Sequence, residues 1–159
     1  MKKPRPGSRG GCGKGDQGSG VRDQGSGGRR IQLIKSYRDL EVWQKSMDLV
    51  VARYQLTKAF PKNETYGLAS QLQRAAVSVP SNIAEGRQRQ HSKEFLQYLS
   101  MAYASLAELE THVQISRRLN YIDEHQVNNG LDKTAEIGRM INGLRKSVKN
   151  RIRPLTPNP

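Results

Sequence analysis

Histidines and carboxylates are the side chains here that could do acid–base or metal chemistry, and their spacing argues against it. The three histidines, His91, His112 and His125, fall on different predicted elements at no common interval. A carboxylate-bridged di-iron bundle needs Glu-x-x-His on two helices, whereas Glu108 and His112 stand four residues apart and no second set exists. The one cysteine, Cys12, has no second cysteine for a disulfide or a thiolate metal site. Because P-loop and G-x-S-x-G motifs are also absent, the sequence predicts no enzymatic activity, metal site or cofactor.

Positive charge is the chemistry that the chain does offer. The formal net charge is +13, with a surplus of +7 in residues 1–36 and of +6 in the remainder. Such a surplus favours polyanionic partners, nucleic acid first and membrane surfaces second, although a basic surface can also serve solubility alone. The candidate phosphate contacts are Arg87 and Arg89, near His91, and Arg139, Arg145, Lys146, Lys149, Arg151 and Arg153 in the stretch RMINGLRKSVKNRIR.

Two interpretations of residues 139–153 remain open. Cations at the end of a helix suit the C-terminal dipole, so the stretch can be an ordinary solvated helix end. Alternatively, Arg145, Lys149 and Arg153 share a helical face that tracks phosphates. No aromatic residue lies near these cations to stack on bases, so we expect no sequence-specific readout.

The elements that must position these residues are four amphipathic helices, predicted from apolar residues at three- and four-residue steps. The first is capped by Asp39, stops at Phe60-Pro61, and has the apolar face Leu40, Trp43, Met47, Val50 (with Val51) and Tyr54. The second begins near Asn63 or Glu64, ends at Gly86 as its C′ residue, and buries Leu68, Leu72, Ala75, Ala76, Val79 and Ile83.

The third predicted helix is capped by Ser92 and ended by Asn120. Its apolar seam is Phe95, Leu99, Ala102, Leu106, Leu109 and Val113, widened by Leu96 and Tyr103. In the fourth, DEHQ at 123–126 resembles a capping box, and the seam is Val127, Leu131, Thr134, Ile141, Val148 and Ile152. Four such helices with short connections predict an all-α, antiparallel up-down-up-down four-helix bundle over residues 37–153, followed by a C-terminal tail at 154–159.

Residues 1–36 are predicted to be a disordered, basic tail rich in glycine and arginine. Ten of the 15 glycines lie there, and no aromatic residue precedes Tyr37, so the segment cannot bury enough apolar surface to offset ordering entropy. It contains a near-repeat, DQGSGVR followed by DQGSGGR. Translation of the repeated DNA heptamer GATCAGG would give Asp-Gln-Gly-Ser-Gly-Ile-Arg, and one base change turns the Ile to Val. One hypothesis is therefore that the segment is a translated DNA repeat upstream of the true start codon. The alternative is an RNA-binding arm, although it has no aromatics for base stacking.

Neither a signal-peptide apolar region nor a membrane span is predicted. No apolar run approaches the ~20 residues that cross a bilayer, and glycine and charge follow Met1-Lys2-Lys3. The lone cysteine also fits a reducing compartment. We therefore expect a cytoplasmic protein.

Pro80 interrupts the second predicted helix, because proline lacks the N–H that would bond the carbonyl of Ala76. Nearby serine and asparagine side chains are expected to satisfy freed backbone groups. A polar stripe accompanies the proline: Arg74, Ser78, Asn82 and Glu85. In the interpretation we favour, Arg74 and Glu85 pair with other helices or a neighbouring subunit and fix their register. In the other, the stripe lines a polar pocket for a ligand or RNA.

Several segments of the chain together resemble a known family. They are YRDLEVWQKSMDLV, FPKNETYGLASQLQRAAVSVPSNIAEG, SKEFLQYLSMAYASLAELETHV and LNYI. They are similar to the 23S rRNA-intervening-sequence protein family, also called the four helix bundle or S23 ribosomal protein family. The resemblance spans about residues 37–148 and implies a bacterial, non-enzymatic four-helix bundle that forms homopentamers. A relative of similar architecture is the accessory protein of diversity-generating retroelements, whose basic pentamer binds reverse transcriptase and nucleic acid.

The sequence thus supports two functional hypotheses from different classes. The first is a non-enzymatic, oligomeric module that binds nucleic acid, RNA favoured, through phosphate contacts from the fourth helix and the Arg87–Arg89 loop. The second is a protein-interaction scaffold that builds a ring for a partner such as a reverse transcriptase.

Overall fold

Four α-helices, with no strand among them, make up residues 36–152, the part of the chain that the computed structural model describes. They are α1 (Glu41–Thr57), α2 (Leu68–Gln88), α3 (Ser92–Arg118) and α4 (Glu124–Ile152). Single 3-10 turns at Tyr37–Asp39 and Lys62–Glu64 precede α1 and α2. The all-α prediction is confirmed for this range, whereas the two predicted tails and Arg153 lie outside it and their boundaries stay predictions.

Side-chain contacts between helices fix an antiparallel bundle, as predicted. Lys45 Nζ on α1 lies 2.8 Å from Glu136 Oε1 on α4, and Gln73 Nε2 at the start of α2 donates to Thr57 Oγ1 at the end of α1, at 2.7 Å. Chain neighbours pack side by side and α4 closes against α1, while the backbones of the diagonal pairs α1/α3 and α2/α4 stay farther apart within the described range. The Lys45–Glu136 hydrogen bond raises the pKa of Lys45 and lowers that of Glu136.

The register of α1 on α4 leaves the end of α4 projecting. Besides the Lys45 contact, Arg53 lies against Gly130, so the start of α1 at Glu41 stands opposite a point near Ile141. The eleven residues from there to the end of α4 extend about 16 Å past α1. Their remaining helical neighbour is α3.

Two predicted helix-end signals are confirmed between α3 and α4. Asp123 and Gln126 form a capping box: Gln126 N–H donates to Asp123 Oδ1 at 2.7 Å and Asp123 N–H to Gln126 Oε1 at 2.9 Å. Asn120 takes the left-handed conformation, with φ 58°. Tyr121 N–H then bonds the carbonyl of Ser116 at 2.9 Å, which completes a Schellman motif and satisfies the last carbonyls of α3.

Four other predicted helix ends are wrong. Asp39 does not cap α1 but forms a capping box with Ser36 around the preceding 3-10 turn. The α2 helix starts at Leu68 instead of near Glu64, whose Oε2 accepts from Leu68 N–H at 2.9 Å and so caps the helix from outside. Gly86 is interior to α2, and Ser92 is the first residue of α3 with no side-chain cap before it.

The predicted core faces of α2, α3 and α4 are largely confirmed. That of α1 is confirmed only for Leu40, which is buried, and for Trp43 and Val50, which are partly buried and pack against the core. In α1 the buried residues are Val42, Ser46, Leu49, Arg53 and Thr57. Of the predicted face, Leu40 is buried, but Met47 is 40% and Tyr54 is 44% exposed. The buried face of α1 looks polar in sequence because it includes Ser46, Arg53 and Thr57. The two hydroxyls can be buried because each bonds a backbone carbonyl one turn back, as Ser46 Oγ does with Val42 at 2.6 Å.

Pro80 lies buried inside α2, which continues past it to Gln88. Two side chains of the polar stripe bond to carbonyls one turn back: Ser78 Oγ donates to Arg74 at 2.9 Å, and Asn82 Nδ2 to Ser78 at 2.8 Å. The accepting carbonyls belong to Arg74 and Ser78, whereas the carbonyl that proline leaves without its helical N–H donor is that of Ala76.

Gly86 sits at a close approach between α2 and α3. A Cβ there would collide with the Cβ of Tyr98 and would stand 3.0 Å from Phe95 Cδ2. We expect Gly86→Ala to lower the free energy of unfolding by about 1–3 kcal/mol, because a methyl forced into a packed interface moves the facing helix.

The matched control is Gly143→Ala on α4, where a Cβ meets nothing within 4 Å. That change should be neutral or stabilising by about 0.5–1 kcal/mol, since alanine loses less backbone entropy on folding. Chemical denaturation of both variants measures the difference. Equal stability of the two would contradict the close approach at Gly86.

Candidate nucleic-acid interface

A groove between the first turns of α3 and the last turns of α4 brings four cationic side chains together. Its volume is about 690 Å³. It is lined by Lys93 and Leu96 from α3 and by Asn142, Arg145, Lys146, Lys149, Asn150 and Ile152 from α4. Four of these eight residues are cations and none is acidic, so the groove offers an uncompensated site for an anion.

Antiparallel packing produces this groove from segments far apart in sequence. It brings the start of α3 beside the end of α4, and within residues 36–152 neither α1 nor α2 covers the segment of α4 that projects beyond α1. Leu96 and Ile152 give the groove an apolar floor, while the lysine stems carry their charges to its rim. The site is therefore a cationic trough rather than a flat charged patch.

Arg145 is the cation held most firmly in the groove. It is half-buried, and its Nη1 donates to Asn142 Oδ1 at 3.1 Å. Its Nε is shielded from solvent and has no acceptor within residues 36–152. A buried donor without an acceptor is costly unless a ligand oxygen satisfies it.

The structure separates the remaining predicted phosphate contacts from this groove. Arg151 is exposed on α4 but does not line it, and Arg139 lines a smaller cavity that also holds Glu110. Arg87 belongs to the last turns of α2 rather than to the loop, and it has its own interaction partner.

Arg89 is committed to a corner between α2 and α3. Its Nη2 bonds Glu85 Oε1 at 2.7 Å and also the Tyr98 hydroxyl, which itself donates to Glu85 Oε1 at 2.8 Å. The hydrogen bond with Tyr98 and then that with Glu85 raise the pKa of Arg89. Its charge is largely neutralised, which makes Arg89 a weak candidate for binding phosphate.

The predicted polar stripe on α2 does not form one site. Glu85 bonds to Arg89 and Tyr98 as above, whereas Arg74 is exposed and has no ion-pair partner in residues 36–152. Ser78 and Asn82 are occupied by backbone carbonyls. Glu85 thus contacts another helix, α3, as the first interpretation expects, whereas the pairing of Arg74 with a neighbouring subunit and the polar ligand pocket stay predictions.

Lys93 is the groove residue that the sequence analysis missed. It stands alone in its stretch, between His91 and Glu94, and only the antiparallel pairing of α3 with α4 brings it to the other cations. The signal in the sequence is a cation in the first turn of one helix and a cluster of cations in the last turns of the next, because antiparallel packing places these two helix ends side by side.

An apolar patch on α1 was also missed as a surface. Met47, Val51 and Tyr54 are 40%, 58% and 44% exposed and lie on neighbouring turns of one helix. Val50 and Trp43 beside them are half-buried. This α1 patch is the feature that points most directly to a protein partner.

Two other kinds of site find no support in the described range. Residues 36–152 contain no cluster of three or more His, Cys, Asp or Glu side chains placed to hold a metal ion. None of the helices in that range combines the length and apolar character needed to cross a membrane.

Comparisons with known proteins agree with the fold described above. A family model described as 23S rRNA-intervening sequence protein matches residues 38–143. The crystal structure of a protein of unknown function from the S23 ribosomal protein family of Bacteroides thetaiotaomicron is similar, with a TM-score of 0.62 and 23% identity. The match covers 66% of this chain and 95% of that one. No curated protein matches.

The Glu85 corner gives a test of whether α2 needs a partner outside the monomer. Because Glu85, Arg89 and Tyr98 satisfy one another within one chain at an exposed position, we expect Glu85→Ala to cause only a small fall in melting temperature, less than that of Gly86→Ala. It should leave the molecular mass in solution unchanged. Thermal unfolding with light scattering measures both, and dissociation of an oligomer by this change would place Glu85 in a subunit interface instead.

Proposed function

Because the chain belongs to the 23S rRNA-intervening sequence protein family, we propose that it is a non-enzymatic, cytoplasmic protein that binds nucleic acid through the groove between α3 and α4. Binding is to the phosphate backbone, and RNA is favoured over DNA, as expected from the sequence analysis. The groove supplies charge but no stacking side chain, so contacts are independent of base sequence.

The observation that carries this proposal is the convergence of Lys93 with Arg145, Lys146 and Lys149 around one trough without an acid. Lysine and arginine on opposite walls can contact successive phosphates of a single strand, and each contact releases condensed counterions. The unsatisfied Nε of Arg145 gives a fixed donor in addition to the mobile lysines.

We further propose that copies of the chain associate through the α1 patch. Single exposed apolar residues are normal on a protein surface, but three large ones on adjacent turns form a contiguous apolar patch, which is typical of an interaction site. A closed ring, five-membered as the family resemblance implies, would repeat the groove once per subunit. Repeated weak phosphate sites on one nucleic acid then bind with avidity.

The alternative function is a protein-interaction scaffold, for example for a reverse transcriptase. The observation favouring it is the same α1 patch, which a heterologous partner can cover instead of a second copy. The two functions predict different affinities for nucleic acid in the absence of other proteins, because a pure scaffold has no salt-dependent affinity for it.

The first test is nucleic-acid binding by the full chain across a salt series, compared with Lys146→Glu/Lys149→Glu. If both lysines contact phosphates of a single strand, the slope of log K against log salt should become shallower by about 1.4, at ~0.7 per contact. Affinity at low salt should fall at least tenfold. Fluorescence anisotropy with labelled RNA and DNA oligomers measures both quantities.

Lys133→Glu is the matched control, because Lys133 is exposed on the same helix and stands about 20 Å from Lys146 along its axis. It should leave the slope of log K against log salt unchanged and lower the affinity only slightly, through the change in net charge. If the double variant binds as the unchanged chain does, the groove is not the interface. Absence of any binding by the unchanged chain would favour the scaffold.

The second test introduces a charge into the α1 patch. Val51→Glu should shift the chain from oligomer towards monomer, because a carboxylate cannot be buried in an apolar interface without a partner. Asn128→Glu, at an exposed position on α4, is the control and should keep the assembly. Sedimentation velocity measures the masses, and an unchanged oligomer in Val51→Glu would exclude the α1 patch as the contact.

A further inference from the structure

Arg53 is a buried cation to which residues 36–152 bring no anion. It lies on the core face of α1 with only 3% of its surface exposed. Its Nε and Nη1 are shielded from solvent and have no hydrogen-bond acceptor within the described range. A guanidinium stays protonated in proteins, so it cannot relieve this state by losing its charge.

The packing against α4 is shaped around this side chain. A Cβ on Gly130 would stand 2.6 Å from Nη1 and 3.0 Å from Nη2 of Arg53, so a larger residue there would require the guanidinium to shift. Burial lowers the pKa of Arg53, with no neighbouring charge to oppose that effect. The fold therefore accommodates the shape of the group and leaves its charge uncompensated.

A cavity of about 230 Å³ opens beside Arg53 at the seam between α1 and α4. Ala52 and Leu56 supply its apolar wall, and Gln126 and Asn129 supply amides from the first turns of α4. Because the Oε1 of Gln126 already accepts from Asp123 N–H, the group that Gln126 has left to offer is its Nε2 donor.

The remaining charges at this seam do not neutralise Arg53. Asp123 caps α4 through Oδ1, and Glu124 Oε2 lies 3.9 Å from Arg117. His125 lines the cavity and is exposed. The N-terminus of α4, which begins at Glu124, adds the positive end of its dipole to the same place.

We propose that the Arg53 cavity binds a small oxyanion, either a carboxylate or a phosphate group, with Arg53 as the principal ligand. The guanidinium fork matches both groups in geometry and charge, and the amides of Gln126 and Asn129 complete the donor set. The volume is below that of sites for drug-sized ligands, so the occupant is a small ion or one acidic group of a larger molecule. This site is separate from the groove and does not depend on it.

The test uses the full chain in the Lys146→Glu/Lys149→Glu background, which weakens phosphate binding by the groove. Sodium acetate and sodium phosphate are titrated at constant ionic strength against sodium chloride. The NMR signal of the Arg53 Nε–H should shift saturably with one of the two anions, with a dissociation constant on the order of 1 mM. Which anion shifts it identifies carboxylate or phosphate as the preferred ligand.

Arg53→Met supplies the second measurement, because methionine fills similar space without charge. This variant should be as stable as its parent or more so in chloride, and its melting temperature should no longer rise with the effective anion. Lys58→Met removes one exposed cation of the same helix end and should keep the response.

Either of two results would overturn the proposal. One is an Arg53 Nε–H signal that neither anion moves; the other is an anion response that survives in Arg53→Met. If Arg53→Met fails to fold, the titration of the Nε–H signal alone decides the matter.

Discussion

The close approach of α2 and α3 at Gly86 is the constraint on which the charged end of the bundle depends. Because no side chain separates the helices there, Phe95 and Tyr98 lie directly over the glycine, and the chain reverses within the three residues between Gln88 and Ser92. This tight reversal sets where the first turn of α3 emerges and therefore where Lys93 stands. The same contact brings the Tyr98 hydroxyl to Glu85 and Arg89.

That geometry sorts cations that look equivalent in sequence into two groups. Arg89 lies beside a carboxylate and a phenol, and it forms an ion pair with Glu85 and a hydrogen bond with Tyr98. Arg145, Lys146 and Lys149 face α3 where no lining residue is acidic. The difference in availability for phosphate thus comes from which neighbours the fold supplies, since all of these side chains carry the same formal charge.

The bundle and most of its core could be predicted from sequence because α2, α3 and α4 each bury one dominant apolar face. In α1, Met47 and Tyr54 form an equally apolar face that stays partly exposed, while Arg53 and Thr57 are buried. Periodicity measures apolar content and does not distinguish a core from a surface patch. Lys93 and the Arg53 cavity were missed for a different reason: both arise from pairs of residues on different helices, so no local pattern encodes them.

The projection of α4 past the start of α1 has a consequence for local stability. Among the helices of residues 36–152, only α3 neighbours this segment, so its backbone hydrogen bonds are expected to open by fraying at a lower free energy than those in the centre of the bundle. The groove lies on this segment, and an anion bridging α3 and α4 would suppress the fraying. Ligand binding and the ordering of the helix end are thereby coupled, and the entropy lost in ordering the last three turns of α4 makes the net binding free energy less favourable.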